Sequence, residues 1–356
     1  MRLDIVSKYR NQLYGLAILW VVVFHAHAID KVDFSFGHSS GPLSWFATLL
    51  SNGNVGVDIF LLLSGICLYF SFSKDGDIGR FMKKRLTRIF IPLWIIDGLY
   101  WLIRVVLVGG GDLEGFVSRM LLFRFWATGD TTCWYGSLIV LLYFMYPFFY
   151  AFIYSEKAKH RFARCLLLMG LFYFVCITTS HAMPEFYKAT EVALTRIPVF
   201  ILGVYLGKLV HDKKCWGNWA AVVACFAAAF LFFIVMHFEL IENKMLMRFF
   251  FLVGGVSLSY AICYCFDGIS RLCKNHASFA LRFLGWIGTF SFELYVSHIM
   301  VNQIYRLPST YVSGQGNLIP YFVVIVPLSI LIAWAGSKAT AKLIEVFSSR
   351  GNRAIS

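Results

Sequence analysis

Charged residues are scarce in this chain of 356 amino acids, at 14%, whereas a soluble domain carries roughly 25%. Hydrophobic residues make up 59% and aromatic residues 18%, and the mean hydropathy is +0.70. Such a chain has too few polar side chains to cover a surface in water, so much of it must face lipid. This composition excludes an ordinary soluble protein.

Cysteine pairs with metal-binding spacing are also missing. The nine cysteines lie mostly in apolar runs, and no Cys-x-x-Cys pair occurs. Cysteines in this setting are typical of small buried hydrophobic residues, rather than of a disulfide framework or a metal site. We therefore expect no metal cofactor.

What the chain does have is a series of apolar segments, each long enough to cross a bilayer as a helix of about 20 residues. The ten predicted spans are 13–30, 55–73, 88–108, 133–153, 163–181, 191–209, 217–237, 247–267, 281–304 and 319–343. They predict an all-α, polytopic membrane bundle that forms a single domain over residues 1–356, with no appended soluble domain. The first span resembles a signal peptide, with Ala26-His27-Ala28 as a small-x-small cleavage site, but nine further spans favour an uncleaved helix.

The basic residues alternate between the predicted loops. Of the 32 lysines and arginines, 23 fall in alternate segments that begin with the N-terminus, 8 fall in the other loops, and Arg196 lies within a span. This bias follows the positive-inside rule and predicts that both termini are cytoplasmic. It also accounts for the net charge of +13, so no nucleic-acid partner is needed to explain that charge. The expected partner is membrane lipid.

Ionisable side chains within the spans are the first candidates for a functional site, because each costs several kcal/mol in lipid, about 2.5–3.5 at the least. The candidates are His25, Asp58, Asp97, Arg196, Glu293 and His298, with His27 and Asp30 at the outer end of the first span. Asp58 and Arg196 fit a purely structural ion pair equally well. A histidine titrates near neutrality and can move a proton during a reaction, so His25 is the leading catalytic candidate.

A second cluster of charge precedes the third span. Arg85 and Arg88 are three residues apart and share a helix face where that span enters the membrane. Their guanidinium groups suit the phosphates of a cytoplasmic donor. For the neighbouring Lys83 and Lys84, ordinary anchoring at the membrane surface is the better interpretation.

Six motifs follow one another along the chain. They are Tyr14-Gly15-Leu16-Ala17-Ile18-Leu19 with Val23-Phe24-His25, Gly56-Val57-Asp58-Ile59-Phe60 with Leu63-Ser64-Gly65, Arg85-Leu86-Thr87-Arg88 with Pro92, Trp134-Tyr135 with Tyr143 and Pro147, Arg196-Ile197-Pro198-Val199-Phe200 with Gly203, and Ser291-Phe292-Glu293-Leu294-Tyr295 with His298. In order and spacing they resemble the acyltransferase 3 family of bacterial membrane O-acyltransferases. One position departs from the family, which often has an arginine eleven residues before the first-helix histidine. Tyr14 stands there, and Arg10, one turn earlier, is a possible substitute.

The resemblance implies a multi-pass protein of the bacterial cytoplasmic (inner) membrane. The implied activity moves an acetyl or other short acyl group from cytoplasmic acyl-CoA to a hydroxyl of a cell-surface glycan or of its lipid-linked precursor. His25 is then the implied catalytic residue, and acetyl-CoA is the co-substrate, held at Arg85, Arg88 and Arg10. Tyr295, Arg196 and Asp30 are expected to bind substrate or to support the structure.

The mechanism stays open at this point. His25 acts either as a general base on the acceptor hydroxyl or as a nucleophile that forms an acyl-histidine. Asp58 or Glu293 would orient it, as the third member of a triad does, and His298 is a further catalytic candidate. The rival function is a transporter or glycan flippase in which the buried charges relay protons, although such a protein has no need of the Arg85/Arg88 pair.

Overall fold

The computed structural model describes residues 1–28, 34–35, 40–107, 113–155, 160–273, 278–305 and 321–353. Its helices are α1 (Ile5–Lys8), α2 (Arg10–Ala28), α3 (Pro42–Ser51), α4 (Val55–Asp75), α5 (Ile78–Leu107), α6 (Leu113–Met120), α7 (Arg124–Thr128), α8 (Trp134–Tyr154), α9 (Arg161–Ala182), α10 (Pro184–Leu194), α11 (Ile197–His211), α12 (Trp219–His237), α13 (Lys244–Leu272), α14 (Phe279–Gly288), α15 (Ser291–Tyr305) and α16 (Val326–Arg353). A π-helical turn, Tyr321–Ile325, precedes α16. Within these ranges the only β-type pairing is one isolated bridge between Arg2 and Cys215, so the predicted all-α bundle is confirmed.

Eight segments of the described chain are helical, long and apolar enough to cross a membrane. They are Val55–Asp75, Ile78–Val105, Thr131–Tyr154, Arg161–Ala182, Pro184–His211, Trp219–His237, Lys244–Leu272 and Tyr321–Val346. Each corresponds to one of the ten predicted spans. The first predicted span is the 19-residue helix α2, and whether it crosses the membrane stays a prediction.

The predicted ninth span is not one helix. Its apolar run is divided between α14, which ends at Gly288, and α15, which begins at Ser291. Hydropathy did not reveal the break because residues on both sides of it are apolar. The break lies where α14 meets α2: a Cβ added at Gly288 would collide with the backbone carbonyl of Asn11, and one added at Gly15 with that of Leu284.

Glycines allow a second close helix contact, between α4 and α11. A Cβ added at Gly65 would lie 2.5 Å from the Phe200 carbonyl oxygen, and one added at Gly207 would lie 2.5 Å from the Tyr69 Cβ. Gly203 and Gly207 are four residues apart and face α4, in the small-xxx-small pattern that lets membrane helices approach closely. α4 becomes the most enclosed of the long helices, with 78% of its apolar stretch buried.

Segments that the charge bias assigns to one side of the membrane meet at one end of the bundle. The N-terminal amino group donates to the Trp216 carbonyl oxygen at 2.9 Å, and Lys8 Nζ lies 2.6 Å from Asp267 Oδ1 near the end of α13. The alternation of loops is therefore consistent with the packing. Which side is cytoplasmic stays a prediction.

Candidate functional site

Two histidines from distant parts of the chain meet inside the bundle. His25 lies in the last turn of α2 and His298 lies in α15. His298 Nε2 is 3.1 Å from His25 Nδ1, and His298 Nδ1 is 2.9 Å from the Leu294 carbonyl oxygen. His298 is completely buried.

These contacts determine which nitrogen of each imidazole ring carries the proton. The Leu294 carbonyl oxygen can only accept a hydrogen bond, so Nδ1 of His298 carries the proton and donates it. In a neutral His298 the other nitrogen, Nε2, must then accept, and Nδ1 of His25 donates to it. When both rings are neutral, Nε2 of His25 is therefore the nitrogen with basic character.

An inner cavity of about 620 Å³ is lined by neighbours of this histidine pair, although His25 and His298 are not among its described lining residues. Val21, which lines it, lies one helical turn before His25 on the same face of α2. Tyr295 also lines it, and its ring centroid is 6.0 Å from that of His298. The polar and charged residues of the inner cavity include Tyr14, Ser64, Arg85, Arg88, Tyr135, Tyr143, Glu293 and Tyr295.

A second, wider cavity, here named the basic mouth, has a volume of about 930 Å³. The first turns of α5 supply Arg80, Lys83, Lys84, Arg85 and Arg88 to its wall. Arg85 and Arg88 line the basic mouth and the inner cavity alike, as does Ile344 of α16. The two arginines therefore stand at the junction of the two cavities.

Arg85 and Arg88 are fixed in position but carry no carboxylate partner in the described part of the chain. Because α5 runs without interruption from Ile78 to Leu107, both sit on the same rigid helix as the third predicted span. Arg85 donates to the Ser71 hydroxyl and lies over the Phe81 ring at 5.6 Å. Two guanidinium groups at a cavity junction, neither in an ion pair with a described carboxylate, can bind an anionic ligand.

Tyr14 and Arg10 differ in their relation to the cavities. Tyr14 lines the inner cavity and stacks on Phe60 with ring centroids 5.3 Å apart. Arg10 is exposed, hydrogen-bonds Asn11 at 3.4 Å and reaches the Cys67 thiol. Arg10 is not among the described residues that line either cavity, but Tyr14 reaches the same Cys67 thiol. Whether Arg10 substitutes for the family's arginine stays a prediction.

The structure places Asp58 against Arg196 instead of His25. Arg196 Nε is 3.2 Å from Asp58 Oδ2, and both side chains are buried. Gly56, two residues earlier on α4, faces α2 at Ala17 and Val21, whereas the Asp58 Cβ faces Gly255 of α13. The two residues thus point to different sides of α4, which favours the structural interpretation of this ion pair.

Glu293 lies in the first turn of α15, whereas His298 lies at the middle of this helix. Glu293 lines the inner cavity together with Arg88, and it precedes His298 by five residues, about 7.5 Å along a helix. The sequence predicted that Asp58 or Glu293 would orient His25. In the structure, His298 contacts the His25 ring. Asp30 lies outside the described residues.

A buried network that the sequence did not predict joins α5, α6 and α15. Arg119 forms two hydrogen bonds with Asp97, at 2.7 and 3.0 Å, and a third with Gln303 at 3.2 Å. Asp97 is 1% exposed and Arg119 is 4% exposed. Arg119 was counted as a basic residue of an outer loop, and the only sequence indication of the pair was an aspartate in an apolar span. The network contacts α15 at Gln303, five residues after His298.

In the described ranges no group of three His, Cys, Asp or Glu side chains is arranged to hold a metal ion. Three ring nitrogens are engaged in these contacts: His25 Nδ1 with His298 Nε2, and His298 Nδ1 with the Leu294 carbonyl oxygen. This arrangement suits proton transfer at Nε2 of His25.

Comparison with known proteins gives one match to a family. The model of an acyltransferase domain matches residues 11–338. A protein of Streptomyces mycarofaciens, called acyltransferase MdmB, is 26% identical over 146 residues, which is 37% of this chain and 37% of that protein. The aligned part thus spans little more than a third of the relative's length. No solved structure matches the chain.

Proposed function

This chain belongs to the acyltransferase domain family, and we propose that it is a membrane O-acyltransferase that uses acyl-CoA. The donated group is acetyl or another short acyl group, and the acceptor is a hydroxyl of a cell-surface glycan or of its lipid-linked precursor. The observation that carries the proposal is the succession of basic mouth, inner cavity and histidine pair within one bundle.

The donor enters from the basic mouth, which the charge bias assigns to the cytoplasm. Its diphosphate binds Arg85 and Arg88 at the junction of the two cavities, since guanidinium forks match phosphate oxygens. Its pantetheine arm extends into the inner cavity, which has hydroxyl groups from Tyr14, Ser64 and Tyr143 along its wall. This route leads toward Val21 and Tyr295, two lining residues that neighbour the histidine pair.

His25 acts as the general base. Its Nε2 takes the proton of the acceptor hydroxyl while the hydroxyl oxygen attacks the thioester carbonyl carbon. The carbon–sulfur bond then breaks, and the imidazolium returns the proton to the CoA thiolate. His298 Nε2 accepts from His25 Nδ1–H throughout, which holds the His25 ring in the tautomer that the reaction needs.

The acceptor reaches His25 from the other side of the membrane. His25 lies near the end of α2 that is distant from the N-terminal charge cluster, and the positive-inside prediction makes that end the outer one. A donor and an acceptor approaching from opposite faces would explain why the reactive histidine lies inside the bundle. The proposed location is the cytoplasmic membrane of a bacterium.

The test is transfer of radiolabelled acetyl from acetyl-CoA into the membrane glycan fraction, with His25→Ala compared with wild type at matched expression. We expect a loss of about 10²–10⁴-fold, the usual contribution of a general base. His27→Ala is the matched control, because His27 is exposed and two residues further along the same helix. Labelling that survives in His25→Ala would rule out this mechanism, and a wild type that neither labels glycan nor binds acyl-CoA would make transport the leading hypothesis.

A further inference from the structure

The basic mouth carries more positive charge than the proposed diphosphate contact uses. Arg80 is neutralised, since its guanidinium is 2.9 Å from Asp75 and 3.6 Å from Asp77. Lys83 and Lys84 are exposed and form no ion pair with any described residue. The wall of the mouth therefore has a second pair of cations without counter-ions, next to Arg85 and Arg88.

The two pairs of cations occupy different levels of the cavity system. Lys83 and Lys84 line the basic mouth only, whereas Arg85 and Arg88 also line the inner cavity. Lys84 and Arg88 are one turn apart on α5, about 6 Å along the helix axis. A ligand that extends from the mouth into the inner cavity would meet the arginines in its middle and the lysines at its outer end.

Acyl-CoA has its charges arranged in this way. The diphosphate adjoins the pantetheine arm, and a separate phosphate monoester stands on the 3′-oxygen of the adenosine ribose, further from the thioester. We propose that Lys83 and Lys84 bind this 3′-phosphate, apart from the diphosphate at Arg85 and Arg88. The choice of ligand depends on the proposed function.

The other features of the mouth suit the nucleotide. A volume of about 930 Å³ lies within the usual range of small-ligand sites, roughly 300–1,000 Å³. A compact ammonium group is a common partner for a phosphate monoester, to which it presents a point charge.

The experiment measures equilibrium binding of CoA and of 3′-dephospho-CoA to the purified full-length protein in detergent. Wild type should bind CoA about tenfold more tightly than 3′-dephospho-CoA, as expected for a pair of charge-assisted hydrogen bonds at a solvent-exposed site. In Lys83→Gln/Lys84→Gln the affinity for CoA should fall to that for 3′-dephospho-CoA, whose own affinity should not change.

The matched control is Lys213→Gln/Lys214→Gln. These adjacent lysines lie on the same predicted side of the membrane, they are exposed, and they line neither cavity. The control also removes two positive charges from the protein, but at a place outside both cavities. It should therefore keep the tenfold preference for CoA. Size-exclusion profiles of both variants verify that they remain folded.

Three results would overturn the assignment. If wild type binds both ligands equally, or if Lys83→Gln/Lys84→Gln weakens both alike, the lysines are surface charges of the kind that attract anionic lipid headgroups. If no CoA binds at all, the assignment falls together with the proposed function. If CoA binds with the tenfold preference and the variant abolishes it, but no acyl transfer occurs, the phosphate site stands and the proposed function alone is wrong.

Discussion

The arginines of this protein occupy two opposite electrostatic settings. Arg119 and Arg196 are buried and each lies against a carboxylate within the bundle. Arg85 and Arg88 stand at the junction of two cavities and form no ion pair with a carboxylate in the described ranges. A buried charge is tolerated only when it is paired, whereas an unpaired one beside an opening remains available to a ligand. The comparison separates arginines that hold helices together from arginines that are available to a ligand.

The largest expected effect concerns the pair with two hydrogen bonds. Asp97→Ala leaves the buried Arg119 without its carboxylate and should lower the free energy of unfolding by about 3–5 kcal/mol. The measurement is denaturation of the purified protein in mixed micelles, followed by tryptophan fluorescence. Asp97→Leu/Arg119→Met removes both charges and should restore most of the loss. A loss below about 1 kcal/mol in Asp97→Ala would show that this ion pair does not stabilise the fold.

The second pair should be weaker. Arg196 has one hydrogen bond to Asp58 at 3.2 Å, keeps another to the Val192 carbonyl oxygen at 2.9 Å, and lies over the Trp134 ring at 5.2 Å. Asp58→Asn should therefore cost about 2–3 kcal/mol of unfolding free energy. The same denaturation measurement applies. If acyl transfer is abolished while stability is unchanged, Asp58 takes part in the reaction and is not a structural charge.

For the unpaired arginines the expected effect moves from stability to binding. Arg88→Ala should raise KM for acetyl-CoA about tenfold, with little change in kcat, because a ground-state contact to phosphate is lost. The free energy of unfolding should change by less than about 0.5 kcal/mol, as for other exposed positions. Arg271→Ala is the control, since that arginine lies on the same predicted side but is paired with Asp267 at 2.8 Å. A large loss of stability in Arg88→Ala would remove the distinction between the two settings.

The smallest effect is expected at an exposed pair near the N-terminus. The Arg2 side chain, hydrogen-bonded to Asp4 at 2.9 Å, holds the pKa of Asp4 below its ordinary value. A lowered carboxylate pKa adds stability above the pKa of the unfolded state, about 3.9, and this contribution disappears as the pH falls through the folded-state pKa. Asp4→Asn should cost less than about 1 kcal/mol at pH 7, and the difference from wild type should shrink as the pH falls below about 3.9. Unfolding curves at pH 7, 5 and 3 provide the test, and a difference that grew on acidification would contradict it.

Much of the fold was accessible from the sequence because the bilayer imposes strong local rules. A stretch of about 20 apolar residues predicts a spanning helix by itself, and eight of the ten predicted spans are long apolar helices. The break between α14 and α15 escaped prediction. Its cause is the close contact of Gly288 with the backbone of α2, which lies far away along the chain.

The candidate site was likewise predictable from the sequence only in part. The cost of burying an imidazole pointed to His25 and His298 individually, and helical spacing placed Arg85 and Arg88 on one face. The hydrogen bond between the histidines joins positions 273 residues apart, and no local pattern records it. The same holds for Arg119, whose partner Asp97 lies in another helix.

The sequence by itself determined that this chain is a helical membrane protein and which of its ionisable groups are costly to bury, because hydropathy and charge act locally. The tertiary structure decided which of those groups meet. It paired His25 with His298 and Asp58 with Arg196, and it left Arg85 and Arg88 beside a cavity. Helix packing sets these distances through contacts between backbones, and such contacts depend on residues that are remote from one another in the sequence.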